Sequence, residues 1–205
     1  MDQKEVWDAL AESWSNHRNK PIKEVAEFLN DKNGVVLDLG SGTGRNFVQG
    51  KNYIAVDISE NMIKHAEKVA KRKQIEFTGI VADAKELPFP DDYFNAVVCV
   101  AVLHCIENER DKSLEELNRV MKKGGHALIM VWNRRQPKFL FLKKQVHEPW
   151  RTGGKTYLRY YRLYSKQELR KELESAVFKV ISIKGSSDKA FKLFSKNIVA
   201  VVEKV

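Results

Sequence analysis

The residues whose types and spacing could do chemistry begin with VVLDLGSGTGRNF, residues 35–47. Gly40, Gly42 and Gly44 form a GxGxG turn directly after a short apolar run. With no Cβ there, the backbone can approach a ligand closely. A dinucleotide turn reads GxGxxG, its third glycine letting helix and strand pack beside a pyrophosphate. Here that third position is Arg45. Asp38, inside the run, would repel a pyrophosphate but can accept hydrogen bonds from the cationic amino-acid end of S-adenosylmethionine, directly or through water. Asp57 closes the next apolar run, and its two oxygens can hold both hydroxyls of a ribose in either cofactor. Asp83 follows a third run, where its carboxylate and the Ala84 N–H are placed for an adenine amino group and ring nitrogen. Ser41, Ile58, Met62 and Ala101 join these as expected cofactor contacts. Any one aspartate could be a turn cap, but three at successive strand ends favour S-adenosylmethionine, with S-adenosylhomocysteine as product.

These residues need a sheet to align them. Apolar runs at 35–39, 53–57, 75–82, 94–100 and 126–132 read as strands. Ser59 caps a helix carrying Met62, Ile63, Ala66 and Val69, and Leu114, Leu117, Val120 and Met121 mark another, expected to end at Lys122, Lys123 and the Gly124-Gly125 pair. Alternation of this kind implies a doubly wound α/β fold with helices on both faces. The runs 176–183 and 197–203 have no helix between them and must pair antiparallel. Five parallel strands plus this C-terminal pair describe a seven-stranded, Rossmann-like class I methyltransferase sheet. The expected organisation is a single domain over 1–205. Residues 1–30 form a two-helix N-terminal cap, its second helix starting at Pro21, and 134–171 form an insertion.

The insertion is where the charge sits. Residues 134–171 hold twelve Lys and Arg against two acids, +10 locally, leaving −1 for the rest of a chain of net charge +9. A basic surplus confined to one segment points to a polyanion. Cys99 and Cys105 have neither CxxC spacing nor a His/Cys cluster, so no disulfide framework or metal site is expected. Without a signal-peptide pattern or a membrane-length apolar run, a cytoplasmic location is expected.

DLGSGTG, the VD of AVDIS, VADAKELPFPDDYFNAVVCVAVLHCI and LNRVMKKGGHALI resemble the successive motifs of class I S-adenosylmethionine-dependent methyltransferases, over about residues 30–132. WDALAESWSNHRNKP, VLHCI, VWNRRQP and VHEPWRTGGKTYLRYYRLYSKQEL resemble one subfamily. These are the tRNA methyltransferases that esterify 5-carboxymethyluridine at the wobble position, including the domain joined to an AlkB-like oxygenase in animals. The chain departs at Arg162, where the family often has histidine.

That resemblance implies an acceptor carboxylate, already ionised at neutral pH and needing no base. The candidates to hold it are Arg18, Lys20, Arg134 and Arg135, with His104 orienting base or carboxylate. His17, Asn133, Trp150, Arg151, Lys155, Arg159, Tyr160, Tyr161 and Arg162 are the candidates for gripping and stacking an anticodon loop. The family also works with a small zinc-binding activator subunit. The strand at 75–82, apolar and without internal Pro or Lys, is an expected sheet edge open to strand addition. A heterodimer through it is expected, the chain alone being poorly soluble or weakly active. A small-molecule or quinone methyltransferase and a catalytically silent RNA-binding scaffold are the alternatives.

Overall fold

A computed structural model describes residues 2–18, 20–139, 142–186 and 195–205. The chain opens with α1 (Gln3–His17), started by a capping box in which Asp2 accepts from the Lys4 N–H and Glu5 accepts from the Asp2 N–H. Its Val6, Leu10 and Ala11 are buried. Helix α2 (Lys23–Leu29) starts two residues beyond Pro21, capped by Ile22 with no side-chain bond. The proline therefore shapes the approach to the helix and is not its first residue.

Seven strands then build one sheet: β1 (Val35–Leu39), β2 (Asn52–Asp57), β3 (Phe77–Val81), β4 (Phe94–Val100), β5 (Met121–Trp132), β8 (Phe178–Gly185) and β9 (Asn197–Lys204). Their order is β3-β2-β1-β4-β5-β9-β8. The first five are parallel, and β9 runs antiparallel to both β5 and β8, as expected. Residues such as Val36, Leu37, Val97, Val98 and Ile129 are wholly buried, as strands covered on both faces must be. Helices α3 (Glu60–Lys73), α4 (Arg110–Val120) and α5 (Lys166–Ser175) supply the remaining cover.

Several boundaries move. Strand–helix alternation lapses at 40–51 and 82–93, which contain turns only. Helix α4 ends at Val120, and the lysine and glycine pairs lie within β5 instead. Within that strand Gly125 serves close packing: a Cβ there would lie 2.7 Å from the Lys122 carbonyl oxygen and 3.1 Å from that of Phe94. The described part of the basic insertion carries regular structure. It forms a separate hairpin of β6 (Gln145–Thr152) and β7 (Lys155–Arg162), followed by α5. Gly153 and Gly154, at φ +56° and +72°, make its two-residue turn. Among the described residues no helix is long and apolar enough to cross a membrane.

Candidate active site

A cavity of about 520 Å³ opens at the carboxyl ends of β1, β2, β4 and β5 and is roofed by α1. Its first half is built around the glycine turn. A Cβ on Gly40 would meet Val102 at 2.1 Å, and one on Gly44 would meet Phe47 at 2.6 Å and the Ala66 backbone at 3.1 Å, so these glycines serve packing. Gly42, at φ +53°, faces open space, with nothing nearer than the Trp14 indole nitrogen at 4.0 Å. That is where the backbone can meet a ligand.

Asp38, in β1 one residue before the cavity-lining Leu39 and not itself among the lining residues, is 1% exposed, and neither carboxylate oxygen has a hydrogen-bond partner. Burial first, then the Asp57 charge, raises its pKa to about 8, while Arg45 opposes the shift. An unsatisfied buried carboxyl is costly until a cation or donor answers it. The nearby Ser41 hydroxyl is also buried without a partner. These orphaned acceptors beside an open Gly42 fit the ammonium-bearing end of S-adenosylmethionine. Asp57 accepts from the Gly42 N–H at 2.9 Å and the Ser59 N–H at 3.0 Å, tying β2 to the turn. Burial raises its pKa to about 6 against those bonds. Asp83 caps its own turn by accepting from the Lys85 N–H, while Ile58, Met62, Ala84 and Ala101 line the cavity beside it. Ala101 sits at φ +63°, a left-handed conformation that costs a non-glycine residue about 1–2 kcal/mol.

The other half is aromatic. Trp7 and Trp14 of α1, Trp132 at the end of β5, and Tyr161 of β7 line it together with His104, which lies in a 3-10 turn after β4. Trp132 and Tyr161 stack with centroids 4.1 Å apart. His104 is 1% exposed; its Nδ1 accepts from the Trp132 N–H at 3.1 Å, so Nε2 bears the ring hydrogen, and it has no partner. Burial pushes the imidazole pKa down to about 3, so it stays neutral. The Cys105 thiol donates to the Ala101 carbonyl, and burial raises both its pKa and that of the Tyr161 phenol. Arg18 caps α1, lines the cavity and holds its guanidinium 5.3 Å over the Trp14 ring.

The other expected residues are placed differently. Lys20, Arg134 and Arg135 do not line the cavity. Arg134 faces Glu168 at 4.0 Å, and Asn133 is spent structurally, donating to the Ser195 carbonyl and accepting from the Arg135 N–H. Tyr160 is buried in the hairpin's base away from the cavity and is no stacking platform, whereas Tyr161, equally buried from solvent, lines the cavity. Arg162 pairs with Glu172 at 2.7 Å. Arg159 is 4% exposed, within 5.5 Å of the Trp14, Trp150 and Tyr161 rings, and donates to the Tyr161 hydroxyl. It binds the hairpin to α1 and presents no surface charge. Trp150 donates to Ser13 and packs on Trp14 and His17, completing that joint. Arg151 and Lys155 stand exposed beside the hairpin turn. Sequence reasoning missed Trp7, Trp14, Trp132 and Arg45 as cavity residues. The tryptophans read as core, and Arg45 served only as evidence against a dinucleotide turn.

The family described as a methyltransferase domain matches residues 37–129. The chain is similar to a tRNA (carboxymethyluridine(34)-5-O)-methyltransferase of Arabidopsis thaliana, 37% identical over 145 residues, covering 68% of this chain and 34% of that protein. A Schizosaccharomyces pombe protein of the same name is 27% identical over 205 residues, covering 84% and 86%. The ubiquinone/menaquinone biosynthesis C-methyltransferase UbiE of Vibrio cholerae is 32% identical over 115 residues, covering 48% and 41%. The chain spans about a third or less of the length of its plant and vertebrate relatives. Among solved structures, the CcbJ methyltransferase from Streptomyces caelestis superposes with TM-score 0.78 at 17% identity over the whole of both chains. A structure described as a complex between the Haloferax volcanii Trm112 methyltransferase activator and the putative methyltransferase gives 0.72 at 17% identity, covering 98% and 97%.

Proposed function

We propose that this chain, a class I S-adenosylmethionine-dependent methyltransferase domain resembling the tRNA wobble-uridine enzymes, methylates the carboxylate of a 5-carboxymethyluridine in a tRNA anticodon loop. One observation carries the choice of acceptor. The aromatic half of the cavity offers the Arg18 guanidinium and the His104 imidazole, which burial keeps neutral and makes too weak a base to deprotonate an acceptor near neutral pH. Such a site suits a nucleophile that arrives ionised, which a carboxylate does and a hydroxyl or ring carbon does not.

The bound S-adenosylmethionine supplies a sulfonium-activated methyl group. Asp38, Gly42, Asp57 and Asp83 hold it at the strand ends, and the buried Asp38 charge orients its ammonium. Arg18, braced on Trp14, offers two parallel N–H groups to the acceptor carboxylate. His104 donates through Nε2 and stays uncharged, so it positions without competing for the carboxylate's lone pairs. Trp7, Trp14 and the Trp132–Tyr161 stack exclude water and flank a planar base. Alignment of the two reactants supplies most of the acceleration in such a displacement.

We extend the proposal to a partner. Among the described residues strand β3 pairs only with β2, and its Val81 is 45% exposed, leaving an edge for a small zinc-binding activator. The test is incubation with labelled cofactor and carboxymethyluridine-containing tRNA, with and without that activator, followed by nucleoside mass spectrometry. A methyl ester on the wobble uridine is expected. Arg18→Ala is expected to keep cofactor affinity and lose turnover on the order of a hundredfold. Label in a quinone or metabolite fraction would overturn the RNA reading, as the UbiE similarity makes worth checking. A chain that binds no cofactor in calorimetry would be a scaffold.

A further inference from the structure

A second cleft of about 330 Å³ lies between the end of α1 and the outer face of α3, and it shares Thr43 and Arg45 with the cofactor cavity. Its walls carry Arg45, His65, Lys68, Arg72 and Lys73 and no carboxylate. Positions 65, 68 and 72 fall on one helical stripe, and Lys68 with Arg72 is a like-charged i,i+4 pair, which is unfavourable by a few tenths of a kcal/mol unless something answers it. The helix does answer its other lysines. Lys64 pairs with Glu60 at 2.8 Å and Lys71 with Glu67 at 2.9 Å. No ion pair joins Lys68, Arg72 or Arg45 among the described residues, and Lys73 donates to the Phe47 carbonyl at 2.7 Å.

The groups disturb one another accordingly. Burial and then Arg72 lower the Lys73 pKa; burial and then Arg18 lower that of Arg45, with the buried Asp38 acting in the other direction. His65 is lowered by burial and then by Lys68, with Glu12 the one acid acting on it in the other direction. Cations without a salt-bridge partner, together with the Thr43 hydroxyl and the Asn16 amide, make a setting for a tetrahedral oxyanion.

We propose that this cleft binds a backbone phosphodiester of the RNA substrate, beside the nucleotide whose base enters the cofactor cavity. The inference rests on the RNA-acceptor reading above. The shared wall at Thr43 and Arg45 places anion site and cofactor cavity side by side, as a nucleotide's phosphate and base require. Arg45 and Arg72 can each grip two phosphate oxygens, while Lys68 and Lys73 add point charges. None of this touches the hairpin, so the RNA would meet basic residues on two parts of the molecule.

The test uses the full chain with S-adenosylhomocysteine and a fluorescein-labelled anticodon stem-loop RNA, titrated across a salt series. Lys68→Ala/Arg72→Ala is expected to weaken RNA binding about tenfold and to flatten the dependence of log affinity on log salt. Each lost phosphate contact removes roughly 0.7–0.9 from that slope. Cofactor affinity should stay unchanged. Lys64→Ala/Lys71→Ala removes the same charge from the same helix but not from the cleft, and should leave RNA affinity within about twofold. If the wild type binds and methylates RNA while the cleft variant matches it in affinity and slope, this inference fails alone. Equal losses in both double variants would reduce the effect to helix charge and also overturn it. Weaker cofactor binding in the cleft variant would assign the cleft to the cofactor's carboxylate. A wild type that neither binds nor methylates RNA overturns this inference and the function it rests on.

Discussion

Asp38 holds a carboxyl group where water cannot reach it and where no protein donor answers either oxygen. Its pKa of about 8 in the folded chain stands well above the ordinary carboxylate value. The folded state therefore binds the proton more tightly than the unfolded chain, and the stability contribution from this group falls as pH rises between about 4 and 8. Asp38→Asn should remove that fall, giving melting temperatures of the free chain that decline less over this window than those of the parent. Cofactor binding should pull the other way. A bound ammonium favours the carboxylate, so binding below pH 8 should release a proton, seen by calorimetry as a heat that varies with buffer ionisation enthalpy. A proton count that Asp38→Asn leaves unchanged would remove Asp38 from the ammonium site. The same residue shows what sequence can disclose. Asp38, Asp57 and Asp83 were legible because each sits a fixed step from a glycine or a strand end. The contacts of Arg159 and Asn133 come from residues far along the chain, which only the folded structure brings together.

Strand β3 makes the element-scale prediction. Tyr53 donates its N–H to the Glu76 carbonyl, and Ala82 donates to that of Asp57. In a parallel ladder this alternation turns the N–H groups of Phe77, Gly79 and Val81 away from β2. Val81→Pro removes one outward donor and leaves the β2 pairing intact, so the chain should fold, bind cofactor normally and fail to co-purify with a co-expressed activator. Retention of the complex would place the partner on another surface. The β3 edge was foreseen from its apolar run and its place in the strand order, whereas the hairpin was read only as a basic, aromatic insertion. Its side chains alternate between exposed and half-buried along β6, but with Glu148 and Pro149 in the middle the run is not visibly hydrophobic. The charge sum misled in two directions. Within 134–171, Arg134, Lys138, Lys144, Arg162 and Arg170 are paired with glutamates and Arg159 is buried. The −1 left over for the rest of the chain concealed the basic stripe of α3, because acids on other faces cancelled it in the total.

The sheet, α1 and the hairpin form one mechanical chain around the cavity. Asp8 of α1 accepts from the Ser59 hydroxyl and from both the backbone and side-chain N–H of Asn61, clamping α1 to the start of α3. At its other side Gln3 accepts from the Tyr160 N–H, and Ser13 accepts from the Trp150 indole. Trp7, Trp14 and Arg18 hang from this helix into the cavity, so α1 is both roof and wall. Val6, Leu10 and Ala11 are its buried residues, and Trp7 and Trp14 add aromatic contacts to Tyr161 and Trp150 of the hairpin. A roof secured by side-chain clamps and ring contacts, with no strand of the sheet in it, can open locally without unfolding the sheet, and a ligand beneath it resists that opening. At a ligand concentration a hundred times Kd, any opening that abolishes binding becomes costlier by about 2.7 kcal/mol, a factor of about a hundred in exchange rate. Hydrogen exchange should therefore slow by up to that factor across α1 when S-adenosylhomocysteine is added. Amides of β8, at the opposite sheet edge, should keep their rates wherever they exchange by local fraying. Uniform slowing over the whole chain would show that α1 and the sheet open as one unit, and that substrate must enter by a route other than the roof.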